Sequence, residues 1–152
     1  MCTSFMGELL TATHNFGTAP TRGASTADTF KAALYLTTAT VNASTTAYSA
    51  TNEVSGTNYT AGGVSITGWN APTATNTSAT AGTAFTTPTA SITYTSVTLS
   101  TAFDCVLIYN STQSNKAVSV HTFGSQTITA GTFTLTMPTN NTTNALLRLA
   151  TT

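Results

Sequence analysis

Apolar and polar positions alternate with a period of two along most of this chain, and threonine fills most of the polar places. The pattern is clearest at Phe30–Leu36 (FKAALYL), where Phe30, Ala32, Leu34 and Leu36 alternate with Lys31, Ala33 and Tyr35. That is the signature of a strand with one buried face. Val64–Thr67 resumes the alternation after Gly62-Gly63, and Ser91–Thr95 and Val97–Leu99 carry it further. Asp104–Tyr109 (DCVLIY) is apolar on both alternations, which predicts a central strand covered on both faces. The cluster Asn110–Asn115 (NSTQSN) predicts a turn that joins it to a strand at Ala117–Phe123. Gln126–Thr129 and Thr132–Met137, split by Ala130-Gly131, predict a further hairpin with Ile128, Phe133, Leu135 and Met137 on one side. Ala145–Ala150 reads as a last short strand or a helical turn.

One stretch has a helical period. Phe5, Met6, Leu9 and Leu10 fall on one face of a short helix over Ser4–Leu10, with Ser4 able to cap it. Two turns do not persist alone in water, so these four side chains are candidate docking contacts, either on the chain's own core or on a neighbouring subunit. Thr11–Thr29 keeps no period and reads as an extended linker. Thr40–Thr60 mixes short strand and loop, with Asn52 and Gly56 as turn formers. Trp69–Thr87 is low-complexity and predicts a surface loop or irregular edge.

About eight strands at short spacing, with no helices between them, predict an all-β fold. The expected form is an antiparallel β-sandwich, with a jelly-roll-like connectivity as one option and a closed barrel as the alternative. Residues 1–29 are expected to form an N-terminal arm, a short helix plus extended linker, and residues 30–152 the β-sandwich domain.

Composition sharpens this picture. At 152 residues the chain is the size of one domain. Charged residues make up 5%, against about 25% in an average soluble protein. Threonine has taken their place, at roughly a quarter of the residues. Threonine suits a half-buried pleated surface. Four basic and four acidic residues give zero net charge, with no basic cluster to neutralise phosphates, so nucleic acid is not an expected partner. No apolar run approaches the ~18 residues of a membrane helix, and the first residues do not resemble a secretory leader. Six Asn-x-Ser/Thr triplets, at Asn42, Asn58, Asn76, Asn110, Asn140 and Asn141, are expected by chance in so Thr- and Asn-rich a chain. Strands without Lys or Pro on their edges are prone to pair with one another, which favours a chain that lives within an assembly.

Candidate chemistry is sparse. Cys2, Cys105, His14, His121 and the four acids lack metal-ligand spacing, so no metal or other cofactor is expected. Cys105 reads as a buried free thiol. Asp28, Asp104, Glu8 and Glu53 could supply a carboxylate pair, but no nucleophile elbow or phosphate loop accompanies them. Asp104 is expected to cap a turn or pair with Lys116. No catalytic residues are therefore assigned. Tyr48, Tyr59 and Trp69, in loop-like surroundings, could form a stacking platform for a sugar or another protein, or cover the ends of the fold.

The stretch FKAALYLTTATVNASTTAYSATNEVSGTNYTAGG (residues 30–63) resembles a phrase found in small structural proteins of tailed bacteriophages. There an F-K-x-A-L-Y strand leads to T-T-A-Y and then N-E-V-S-G-x-x-Y-x-A-G-G. THNF (Thr13–Phe16), VLIYNSTQSNKAV (Val106–Val118) and TAGTFTLTMPTNNTTNALLRL (Thr129–Leu149) are similar to the same pattern, whereas Trp69–Thr87 matches nothing in it. The resemblance implies a non-enzymatic virion protein assembled in the host cytoplasm, with a capsid decoration (cement) protein as first choice. Its implied partners are the major capsid protein or other virion proteins and further copies of itself, as a dimer or trimer. A tail, connector or fibre-associated position, with Tyr48, Tyr59 and Trp69 binding a host-surface glycan, is the alternative.

Overall fold

Two long strands dominate the molecule. The computed structural model describes residues 1–10, 13–16, 27–75 and 82–150. After a helix α1 (Thr3–Leu10), the chain forms β1 (Phe30–Leu36), β2 (Val64–Ser65), β3 (Thr73–Thr75), β4 (Thr83–Thr86), β5 (Ile92–Asn110), β6 (Lys116–Leu135) and β7 (Leu147–Ala150). They build two antiparallel sheets, one ordered β2-β1-β5-β6 and the other β3-β4-β7. Apart from α1 the fold is all-β, and its sheets do not close into a barrel.

Several expectations hold closely. β1 occupies Phe30–Leu36, and the Asn110–Asn115 cluster turns β5 into β6. Asn110 makes this turn by accepting hydrogen bonds at Oδ1 from the amides of Thr112 and Gln113, each at 3.1 Å. Ser114 and Asn115 then take positive φ. Cys105–Tyr109 is buried on both faces. β1 is too, since Ala33 and Tyr35 are as buried as Ala32 and Leu34. The expectation of one buried face there fails because Phe16 and Trp69 pack on Phe30, and the loop between β1 and β2 reaches Tyr35 through Ser49 and Glu53.

The hairpin expected over Gln126–Met137 does not form. Seven strands are present among the described residues where the spacing predicts about eight, because β6 runs unbroken through Ala130-Gly131. The turn-forming backbone is there, with Ala130 at φ 46°, but it makes a bulge, and Val97 pairs with Gly131 and Leu99 with Ile128. Ser96 on β5 also has positive φ, and the register jumps repeatedly between Tyr94 and Cys105. Bulges bend a strand pair and increase its twist.

The bend is large. A straight 19-residue strand would span ~60 Å. Yet Ile92 and Ile108, near its two ends, line the same cavity. Tyr94 in its first half donates to the carbonyl of Ala32 on β1 (2.8 Å), and Ala32 pairs with Ile108 in its second half. Phe103 and Phe133 meet edge-on at 5.2 Å. The β5–β6 ribbon is thus doubled over, and the core of Tyr94, Val97, Leu99, Phe103, Val106 and Ile108 fills the fold.

Within the stretch Trp69–Thr87, expected to be a surface loop or an irregular edge, β3 and β4 are strands, β3 at the edge of its sheet and β4 paired with β7 (Thr86↔Leu147). Residues 76–81 lie outside the described residues.

The first residues dock on the chain's own core. The Cys2 amide donates to the Val118 carbonyl at 2.9 Å, Phe5 is 2% exposed, and Leu9 packs against the same cluster. Phe16 stacks on Phe30 at 4.6 Å and meets Phe5 edge-on at 6.0 Å. Packing of this kind stabilises a helix too short to stand alone. The side chains of Met6 and Leu10, and residues 11–12 and 17–26 of the expected linker, lie outside the described residues. Phe5→Ala is expected to cost ~3 kcal/mol, as for other buried phenylalanines, measured by urea unfolding. A loss below ~1 kcal/mol would mean that α1 is not part of the folding unit.

Candidate functional site

The four carboxylates are the natural places to look for chemistry. Glu53, after β1, is the hub of one polar arrangement. Its Oε2 accepts from the Tyr48 hydroxyl at 2.7 Å. Its Oε1 accepts from the Tyr59 hydroxyl and the Gly62 amide, both at 2.8 Å. The Tyr59 hydroxyl accepts in turn from the Leu34 amide at 3.0 Å. Tyr109, stacked on Tyr48 at 4.7 Å, donates to the Gly62 carbonyl at 2.8 Å. Tyr94 stacks on Tyr59 at 6.0 Å, and Tyr35 donates to the Ser49 carbonyl. All five tyrosines of the chain therefore anchor the loop between β1 and β2 to the central strands.

The electrostatics of this cluster are those of a structural network. Burial, the largest cause in each case, and the nearby Glu53 charge raise every tyrosine hydroxyl above its ordinary pKa of 10. Tyr35 and Tyr109 are each pushed up to about 12. Tyr48, Tyr59 and Tyr94 are raised further, with the Glu53 carboxylate adding to burial. The hydroxyls stay protonated and donate to fixed acceptors. Glu53→Gln keeps one carbonyl oxygen but turns the other position into a donor, facing a tyrosine or the Gly62 amide. A loss of ~1–2 kcal/mol is expected, rising to ~3 for Glu53→Ala, because hydrogen bonds to a charged group contribute ~1.5–3 kcal/mol each. Equilibrium denaturation reads both. Equal, near-zero losses would show the carboxylate to be dispensable.

A second polar cluster ties down the N-terminal segment. Glu8 Oε1 accepts from Lys116 Nζ at 2.8 Å and Oε2 from His14 Nε2 at 2.7 Å. Because Asn110 Oδ1 is committed to two backbone amides, its Nδ2 faces Asp28 Oδ2 at 2.7 Å and His14 Nδ1 at 3.1 Å. That places an acceptor at His14 Nδ1 and the ring proton at Nε2, toward Glu8. Asp28 also accepts from the Asn15 amide at 3.0 Å and from Gln113 at 3.3 Å. Burial works to raise Glu8, but hydrogen bonds from Lys116 and His14 outweigh it and hold the carboxyl below its usual value. His14, within the expected linker Thr11–Thr29, is buried. Lys116 pairs with Glu8 and not with Asp104, which lies inside β5 and does not begin it.

Neither thiol is activated as a nucleophile. Burial raises both thiols, Cys105 to about 11 with help from Asp104, which disfavours the reactive thiolate at neutral pH. Both cysteines are free and buried. Burial lowers His121, whose Nε2 lies 2.9 Å from Ser119 Oγ. Among the described residues no three His, Cys, Asp or Glu side chains gather as a metal site, and no helix is long and apolar enough to cross a membrane.

The three aromatics of the candidate platform do not share a surface. Tyr48 and Tyr59 point their hydroxyls inward at Glu53, whereas Trp69 is 7% exposed and packs edge-on against Phe16 at 4.8 Å and Phe30 at 5.4 Å. Phe5, one of the four candidate assembly contacts, is consumed by the chain's own core. Sequence reasoning named Glu53 only as one acid of four. Its signal was its place in a phrase that also holds Tyr59 and Gly62. One cavity of about 370 Å³ lies within the doubled ribbon, lined by Ile92, Val106 and Ile108 of β5, by His121, Phe123 and Phe133 of β6, and by their neighbours.

No protein-family model, curated protein or solved structure matches this chain.

Proposed function

We propose that this chain is a non-enzymatic structural protein of a bacteriophage virion, a capsid decoration (cement) protein that binds the outer shell and stabilises the head. The observation that carries the proposal is the phrase of residues 30–63, with its similarity to small structural proteins of tailed phages. The structure gives that phrase a physical meaning compatible with a scaffold. Glu53, Tyr59, Gly62 and Gly63 bind the β1–β2 loop to the core, and Gly56 lies where a methyl group would sit 2.0 Å from the Thr98 carbonyl. The Glu53 carboxylate and the Tyr59 hydroxyl are spent on each other and on the amides of Gly62 and Leu34, a packing role.

The low charge and the threonine-faced strands support a life within an assembly, where edges are covered. In this proposal the fold is a β-sandwich whose facing layers come from the doubled ribbon, and a jelly-roll-like connectivity is the finer expectation. The partners are the major capsid protein and further copies of the chain, and the location is the virion. A glycan-binding fibre module draws no support from Tyr48, Tyr59 and Trp69, which occupy separate aromatic groups.

Copy number per purified particle tests the proposal. Hundreds of copies, with recombinant protein binding capsids stripped of it, are expected of a decoration protein. A number near six, twelve or eighteen would move it to the tail or connector, and absence from particles would overturn the virion assignment.

A further inference from the structure

The four-stranded sheet ends on its longest strand. β6 is the last strand in the order β2-β1-β5-β6, and only its beginning is covered. The Ala117 amide donates to the Thr46 carbonyl, the Cys2 amide donates to the Val118 carbonyl, and Lys116 bridges Ala47. From Ser119 to Leu135 no backbone group on the outer side has a hydrogen-bonded strand partner among the described residues. The usual protections of an edge are nearly missing. Residues 117–135 contain no Lys, Arg, Asp, Glu or Pro, and the devices present are bulges, at Ala130 and between Thr122 and Gln126, where the pairing with β5 jumps.

A second, independent feature lies on the same side. The ribbon is doubled over and its β5 side is closed by β1 and by the Thr57–Thr98 bridge, so the space between its halves opens toward β6. The cavity there is walled largely by β6 and its continuation, through Phe123, Phe133, Leu135 and Met137. These four are only partly buried although they pack on the core. A free strand edge beside an apolar cleft is the arrangement that accepts an added strand, with backbone hydrogen bonds supplying affinity and side-chain pockets specificity.

We propose that the free edge of β6, with the adjoining cleft, is the interface on which a second copy of this chain docks, edge to edge about a two-fold axis. Charge argues for a like partner. An isologous contact places each residue against its own symmetry-related neighbours, and an uncharged edge meets no repulsion in doing so. Area agrees. Two limbs of about eight residues, ~25 Å long, in layers ~10 Å apart present a side of roughly 500 Å² per copy, or ~1,000 Å² in total, the threshold for a specific interface. This surface is defined by β6 alone and goes beyond the virion assignment, and either can fail without the other.

Sedimentation velocity on the full chain, over a range of concentrations, tests it. A reversible dimer is expected. Thr122→Lys with Gln126→Lys, which place cations on the edge, should weaken it at least tenfold, whereas Thr93→Lys on the exposed face of β5 should leave it unchanged. Hydrogen exchange on the unmodified protein supplies a measure independent of how the variants fold. Protection at residues 119–126 should rise with concentration, while that of the exposed Thr37–Thr38 turn should not. A monomer at every concentration, or an oligomer whose edge amides stay unprotected, would overturn the proposal. So would a dimer indifferent to both edge lysines. Protection at 119–126 that appears only on adding another protein would assign the edge to that protein instead.

Discussion

Gly63→Ala is expected to destabilise the folded state more than any other single substitution considered for this protein. Gly63 has φ +71°, and a methyl group there would lie 1.7 Å from the Ala32 carbonyl oxygen, 2.5 Å from its carbon and 2.7 Å from Ala33 Cα. All three are backbone atoms of β1, which is hydrogen-bonded to β2 on one side and β5 on the other. No rotamer change can make room. Relief requires β1 to move within its sheet, or the Gly62-Gly63 turn to pull away, which breaks the contacts of Gly62 with Glu53 and Tyr109. The cost is set by left-handed backbone strain of ~1–3 kcal/mol plus the displacement. At least ~4 kcal/mol is expected, a large share of a typical 5–15 kcal/mol stability. The melting temperature should fall by more than ~10 °C, from ~2–4 °C per kcal/mol at this size. Gly124→Ala is the control, because a methyl group there meets nothing within 4 Å, and it should change stability by under ~0.5 kcal/mol. Near-equal melting of the two variants would show the Gly63 contact to be illusory.

That contact also shows what was legible before the structure. β1 and the β5–β6 turn could be read because their signals are local. Alternation marks the strand, and the Asn110 side chain makes the turn with residues two and three positions ahead. The Gly62-Gly63 pair was readable as a turn, but its necessity comes from Ala32, thirty-one residues earlier. The false hairpin at Ala130-Gly131 arose from a real local signal, a positive-φ residue before a glycine. A bulge uses the same backbone, and only pairing with Val97 and Leu99 distinguishes the two. β3 and β4 escaped notice because TAT and TAFT have no hydrophobic period. β4 is fixed by pairing with β7, more than sixty residues on.

The candidate sites were less legible for the same reason. Tyr48, Tyr59 and Trp69 share a loop-like setting in the sequence, yet their fates are decided by distant partners: Tyr109, Tyr94, Phe16 and Phe30. His14 lies in a polar stretch without period, and its burial follows from Asn110, ninety-six residues away. Composition also misleads here. In a chain with 5% charged residues one expects the few charges to lie in solvent. Instead Glu8, Asp28 and Lys116 join a single cluster beneath the N-terminal segment, and Glu53 organises the tyrosines. Scarce charge is used for orientation between elements.

The tyrosine cluster makes the protein's alkaline limit predictable. In the unfolded chain each hydroxyl ionises near pH 10. In the folded protein burial and the Glu53 carboxylate raise all five, Tyr35 and Tyr109 to about 12 and the others beyond. A folded pKa above the unfolded one means that the unfolded state loses its protons first. The stability linked to these groups is complete below pH 10 and falls as pH rises from 10 toward 12, with a slope set by the difference in bound protons. Five groups act together, so the fall is steep. Phenolate absorbance near 295 nm should stay flat through pH 10 and then rise in one cooperative step, coincident with the loss of β-sheet circular dichroism and with the exposure of Trp69 seen by fluorescence. The step should release several protons per molecule. Glu53→Gln, which takes away a carboxylate that disfavours phenolate but also loosens the cluster, separates two possibilities. If the network is cooperative, loosening dominates and the step moves to lower pH. If the tyrosines are held independently by burial, losing the charge leaves it in place. Gradual ionisation of the native protein centred near pH 10, with its secondary structure intact, would show that the hydroxyls are solvent-exposed and that the cluster around Glu53 does not hold the fold.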